Sequence, residues 1–141
     1  MTAVLAVRVY YEDTDAAGIV YHARYLAFAE RARMEAMRAA GVPHDALVTQ
    51  HGVIFVVRHV EMDYLRPARL DDVITVTTDT VETGGASMLV RQGFAVAGVP
   101  TGVLLVRLAC IRQADGRPAR IPARWRDALG AETGIGEQVA G

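Results

Sequence analysis

A helix that is apolar on almost every side has to be wrapped by the rest of its chain, and the stretch Val9 to Ala40, VYYEDTDAAGIVYHARYLAFAERARMEAMRAA, encodes one. From Tyr21 or His22 to Ala40 it consists mainly of Ala, Leu, Met, Arg and Glu, all good helix formers, and it stops at Gly41 with Pro43 just beyond. Tyr25, Phe28, Ala29, Ala32, Ala36 and Ala39 recur at spacings of three or four, while Leu26, Met34 and Met37 widen the apolar arc well past a simple stripe. Arg24, Arg31, Glu35 and Arg38 fill the remaining line, with Arg31 and Glu35 one turn apart as an expected pair. Glu30 falls beside the apolar face, where a carboxylate needs a hydrogen-bonding partner, and a structural role is expected for it.

The wrapping comes from strands. Val4 to Glu12 alternates Leu5, Val7, Val9 and Tyr11 against Arg8, Tyr10 and Glu12, the period of a strand with one better-buried face. From Gly52 onward, Val53–Arg66, Val73–Thr83, Ser87–Ala97 and Gly102–Gln113 are β-rich. Arg66–Asp72, Gly84-Gly85, Gly98–Gly102 and Asp115-Gly116 separate or close them as turns. Strand, long helix, then four strands with short connections predict an α+β fold in which an antiparallel meander, or nearly so, packs on the helix. Several strands are apolar on both faces, which asks for a second sheet or a second subunit. A short helix is expected over Ala123–Leu129; residues 1–130 form a single domain and 131–141 a flexible tail.

A chain of 141 residues suits one domain, and its formal charge of −1, with the signs interspersed, argues against a nucleic-acid partner. The longest apolar runs, Val53–Val57 and Val103–Val106, fall far short of the roughly 20 residues that span a bilayer, so no membrane insertion is expected. The start, MTAVLAVRVY, has no basic region ahead of an apolar block, and a cytoplasmic location is the expectation. Cys110 is the sole cysteine and sits in an apolar run, where inert core filling is its ordinary role.

Chemistry concentrates where the first strand meets the helix. Glu12, Asp13 and Asp15 lie within four positions, and at strand spacing Asp13 and Asp15 share a face. Such a cluster is most often a solvated turn or a capping device. Here, however, Gly18 permits a tight path and His22 falls near the first helical turn, whose unpaired N–H groups and dipole favour developing negative charge. A carboxylate to attack or to activate water, opposite fixed donors for an oxyanion, is what acyl transfer requires. A metal site built on the carboxylates and His22, with His44, His51 or His59, lacks the spacing of a zinc helix motif, and those three histidines read as surface or sheet-edge residues.

The run Val7 to Arg33 strongly resembles the hotdog-fold acyl-CoA thioesterases of the 4-hydroxybenzoyl-CoA thioesterase type, above all the bacterial branch associated with the Tol-Pal envelope system. Tyr11, Asp13, Asp15, Gly18, Val20 and Tyr25 match the motif Y-x-D-x-D-x-x-G-x-V-x-x-x-x-Y, and a second block runs from Phe55-Val56-Val57-Arg58 through Tyr64-Leu65-Arg66-Pro67-Ala68-Arg69-Leu70-Asp71-Asp72. The similarity extends to about Pro122.

The resemblance implies a five-stranded antiparallel sheet wrapped around a long central helix, homodimers assembling into homotetramers, and an acyl-CoA or acyl-carrier-protein thioester as substrate, with no cofactor and no metal. It puts the catalytic carboxylate on Asp15 and the carbonyl-polarising N–H on His22, whose side chain stands where 4-hydroxybenzoyl enzymes carry tyrosine. That leaves the imidazole as proton donor or substrate positioner. Tyr11, Gly18, Val20, Tyr21 and Tyr25 are the expected pocket residues, Arg58, Arg66 or Arg69 are expected to meet the CoA phosphates, and Asp13 is expected to shape the loop. A hotdog dehydratase and a non-catalytic acyl-thioester binding module are the alternatives; the former expects a histidine before the helix and an acid on it, for which His22 and Glu30 are poor substitutes.

Overall fold

The computed structural model describes residues 1–131. The chain runs through β1 (Thr2–Arg8), a 3-10 turn (Tyr11–Asp13), α1 (Arg24–Ala39), α2 (His44–His51), β2 (Val53–Tyr64), β3 (Val73–Thr83), β4 (Ser87–Val96), β5 (Val99–Arg112) and α3 (Ala123–Leu129). The strands form one antiparallel five-stranded sheet in the order β1-β3-β4-β5-β2, as a hotdog fold requires. The expected short helix occupies Ala123–Leu129, and the expected tail lies outside the described residues except for Ala131.

Only β3-β4-β5 is a meander. β2 pairs with β5 at the far edge, so the segment between β2 and β3 is no hairpin turn and instead crosses an end of the sheet. It passes over the start of α1: the Val20 N–H donates to the Ala68 carbonyl at 2.8 Å, and just beyond β1 the Val9 N–H donates to the Asp72 carbonyl while the Val9 carbonyl accepts the Asp71 N–H. This crossing brings the two blocks of the sequence motif together.

The first strand is shorter than its alternation suggests. It ends at Arg8 because Asp13 captures the Tyr10 N–H and folds Tyr11–Asp13 into a turn, leaving Tyr11 83% exposed rather than on the buried face. A second correction is α2, where sequence reading sees only surface histidines after Pro43. Eight residues make a marginal helix alone. Here Leu47 is fully buried, Gly52 closes the end in the left-handed region, and the His51 ring meets Trp125 edge-on at 5.2 Å. At the β4–β5 turn, Ala97 and Gly98 both take positive φ, the geometry of a tight two-residue hairpin, so β5 begins at Val99 and Gly102 falls inside it. Gly102 lies opposite Tyr64, and a Cβ there would stand 2.5 Å from the Met62 methyl.

The long helix buries Tyr25, Phe28, Ala29, Ala32, Ala36 and Met37 against the sheet, where Ile74, Val76, Val90, Phe94, Leu104 and Val106 are also buried. Phe28 alone, fully buried, contributes about 2–3 kcal/mol of transfer free energy. Leu26, Glu30 and Met34 stay exposed along one line, so the helix is not enclosed within one chain. Arg38, not Arg31, pairs with Glu35; the Arg31 guanidinium lies over the Phe28 ring.

One polar group interrupts the interface. Gln92 of β4 is fully buried, and its amide donates to the Ala29 carbonyl at 2.9 Å and the Thr78 hydroxyl at 3.0 Å while its oxygen accepts from Arg33 Nη1 at 3.0 Å. Burial draws the Arg33 guanidinium down from its ordinary value, with neighbouring Glu30 pulling the other way. Gln92 thus satisfies three groups where no water is needed. Gln92→Leu, which keeps the volume and removes those bonds, is expected to cost about 1–3 kcal/mol in urea unfolding.

Candidate active site

Asp13 and Asp15, which alternate strand spacing would place alike, have opposite fates. Asp13 is 3% exposed: Oδ2 accepts the Tyr10 N–H at 2.8 Å, Oδ1 accepts Arg24 Nε at 3.0 Å, and Arg24 Nη2 closes the ion pair at 2.8 Å. Its backbone carbonyl accepts the Tyr21 N–H at 2.8 Å. Asp13 therefore shapes the loop and ties it to the first turn of α1. Asp15 is exposed at the tip, with one oxygen accepting the Ala17 N–H at 2.9 Å and its backbone closed on Ile19 and Gly18. Gly18, at φ +78°, supplies the left-handed residue that this turn needs.

The helix starts later than its composition suggests. Tyr21–Ala23 form a turn, with the Tyr21 N–H bonded to the Asp13 carbonyl, and Arg24 is the first helical residue. The Arg24 N–H bonds the Tyr21 carbonyl at 2.9 Å and the Leu26 N–H bonds the Ala23 carbonyl at 3.2 Å. Among the described residues, the N–H groups of His22 and Ala23 have no carbonyl acceptor. They are orphan donors at the positive end of a 16-residue helix, a place suited to negative charge.

Asp15 and His22 line one cleft of about 400 Å³. Val20 and Tyr25 form its wall on the loop and helix side, and Tyr64, Leu65, Arg66 and Pro67 face them from the end of β2 and the crossing segment. Tyr25 is buried, and burial pushes its phenol above the ordinary tyrosine value against the opposing pull of Thr101. The Tyr64 hydroxyl donates to the His22 carbonyl at 2.8 Å, and the Tyr64 ring meets Tyr25 at 5.5 Å and His22 at 6.3 Å, both edge-on. Chemically, the cleft offers a carboxylate, an imidazole, the unpaired amide of His22 and one guanidinium around a mostly apolar floor.

Of the residues expected in the site, Asp15, Val20, His22, Tyr25 and Arg66 come together here. Tyr11, Gly18 and Tyr21 lie outside the lining; Tyr21 instead places its ring 4.5 Å from the His22 ring. Arg58 sits in a bulge of β2, six residues before Tyr64 and roughly 20 Å along the strand at about 3.3 Å per residue, away from the cleft. Sequence reading passed over Ile19, Tyr64, Leu65 and Pro67 as lining residues. The signal for the last three was their place in the second motif block, but only the crossing of the sheet reveals which side they face.

The geometry agrees with what the chain is similar to. The family model of the thioesterase-like superfamily matches residues 9–129. An acyl-CoA thioesterase YbgC of Haemophilus influenzae is 40% identical over 123 residues, covering 87% of this chain and 90% of that protein. An acyl-CoA thioester hydrolase YbgC of Escherichia coli O6:H1 is 49% identical over 86 residues, 61% of this chain and 63% of that one. Among solved structures, a probable thioesterase from Bartonella henselae superposes with a TM-score of 0.81 at 35% identity, covering 86% of this chain and all of that one. With its five-stranded sheet curled on one long helix and this match along most of its length, the chain belongs to the thioesterase-like superfamily and has the hotdog fold.

Proposed function

We propose that this protein is an acyl-CoA thioesterase, hydrolysing the thioester to free acid and CoA thiol. The observation that carries this reading is the shared cleft of Asp15 and the unpaired amides at His22. Two relatives named as acyl-CoA thioesterase and acyl-CoA thioester hydrolase, at 40% and 49% identity, support the substrate class. The thioester carbon sits between the carboxylate and the amides. Asp15 either attacks it, giving a transient anhydride that water opens, or takes a proton from the attacking water. In both routes the carbonyl oxygen gains charge that the N–H donors and the helix dipole stabilise. The sulfur leaves as a thiolate, a good leaving group, so this apparatus is sufficient. Arg66 at the cleft rim meets a CoA phosphate as a charge-assisted partner, and a carrier-protein thioester presents the same bond through the same pantetheine arm.

The assembly is part of this proposal. Leu26 and Met34 of α1 and Val57 and Val60 of the edge strand β2 are exposed apolar side chains lining or flanking one seam, and a second copy covering it forms the dimer that pairs into a tetramer. The work is cytoplasmic, where acyl-CoA is made and consumed.

Three outcomes follow. Asp15→Asn lowers turnover by at least about a hundredfold in a thiol-release assay over a panel of acyl-CoAs, with the circular dichroism melt unchanged. His22→Ala costs less, about tenfold, because it removes the imidazole and keeps the backbone N–H; activity equal to wild type would restrict His22 to its amide. Val57→Glu, a charge on the open seam, shifts the light-scattering mass from a multiple of the chain toward a single one.

A further inference from the structure

Tyr64 is the last residue of β2, and the chain is tied down on both sides of it. It lies opposite Gly102 of β5, and the N–H groups of Leu65 and Arg66 both donate to the Thr101 carbonyl, at 2.9 and 3.3 Å. From this anchored position its hydroxyl reaches the carbonyl of His22 at 2.8 Å. In a continuous α-helix that carbonyl would accept the Leu26 N–H, but Leu26 bonds Ala23 instead. Tyr64 therefore takes up the one carbonyl that the start of α1 leaves over, and the neighbouring Tyr21 carbonyl is already held by the Arg24 N–H.

Each peptide unit is planar, with N–H and C=O pointing in opposite directions. The Arg24 N–H on the Tyr21 carbonyl fixes the direction of the His22 N–H, and the Tyr64 hydroxyl on the His22 carbonyl fixes that of the Ala23 N–H in the next unit. The hydroxyl of Tyr64 thus pins the peptide unit after His22, and with the unit before it held by Arg24 the backbone on both sides of the imidazole is fixed.

We infer that Tyr64 is a positioning residue for the hydrolysis proposed above: through its hydrogen bond to the His22 carbonyl it pins the His22–Ala23 peptide unit, so that His22, whose amide is aimed by the Arg24 bond to Tyr21, keeps its place beside the thioester oxygen. This rests on the thioesterase reading and adds to it a residue from the opposite edge of the sheet. Tyr64 is half exposed, so water replaces its hydroxyl readily when the oxygen is deleted, and the bond matters more for aim than for folding.

The test is Tyr64→Phe, which keeps the ring contacts and deletes only the donor. For the acyl-CoA that wild type turns over fastest, kcat is expected to fall about tenfold, equivalent to one neutral hydrogen bond, with KM within about twofold and the melting temperature unchanged. A second readout uses Asp15→Asn to hold that acyl-CoA intact: its bound carbonyl stretch in infrared difference spectra should move toward the free-solution frequency when Tyr64→Phe is added. If the phenylalanine variant matches wild type in kcat and leaves the carbonyl frequency in place, the positioning role is wrong while the hydrolase reading stands. A lowered melting temperature with unchanged kcat per folded molecule refutes it equally, as a purely structural effect. If the wild-type protein releases thiol from no acyl-CoA, both readings fall.

Discussion

The buried carboxylate of Asp13 is the tie on which the rest of the corner depends. Desolvating a carboxylate is costly unless hydrogen bonds and a counter-charge replace the lost water, and Asp13 receives both, from the Tyr10 amide and from the Arg24 side chain. Those two bonds end β1, coil the loop and fasten it to the helix. The same residue's carbonyl takes the Tyr21 N–H and so fastens the loop to the turn that leads into α1, where the amides of His22 and Ala23 have no carbonyl acceptor among the described residues. Asp15 stays exposed at the cleft while its neighbour in the motif does the structural work.

The second half of the corner comes from far along the chain. β2 and β1 are opposite edges of the sheet, yet the end of β2 and the loop after β1 meet across the cleft. The segment that makes this possible crosses the sheet end and lays its Ala68 carbonyl on Val20. An apolar floor with few convergent polar groups is a common form for a small-molecule site. Here the polar groups arrive from two elements that share no strand pairing.

Much of this was legible in the residues themselves. The core face of α1, from Tyr25 through Ala36, followed from spacing alone, since a 3.6-residue period leaves little choice. The limits of β3 and α3 were likewise clear, because Val/Thr runs and Pro122 mark them. What failed was whatever depends on local hydrogen bonds rather than on periodicity. The early end of β1 needs the Asp13 side chain to bond Tyr10, and the turn ahead of α1 closes through Arg24 on Tyr21 and Leu26 on Ala23; none of these bonds has a periodic signature. α2 was missed because its stability comes from Leu47 and Trp125, residues about 80 positions apart. That Asp15 and His22 share one cleft was legible from the motif and the helix start, whereas the place of Tyr64 in its lining required the strand order.

Gly102 carries a consequence of its own. The Met62 methyl fills the room that a side chain at 102 would need, and the Asp63 carbonyl stands 3.2 Å from the same point. The thioether end of Met62 is pliant, but the carbonyl belongs to the rung just before Tyr64 and cannot yield without carrying that strand end with it. An alanine at 102 would act as a wedge, prising the phenol away from the histidine turn while touching neither. A position with no functional group of its own thereby bears on where the phenol rests.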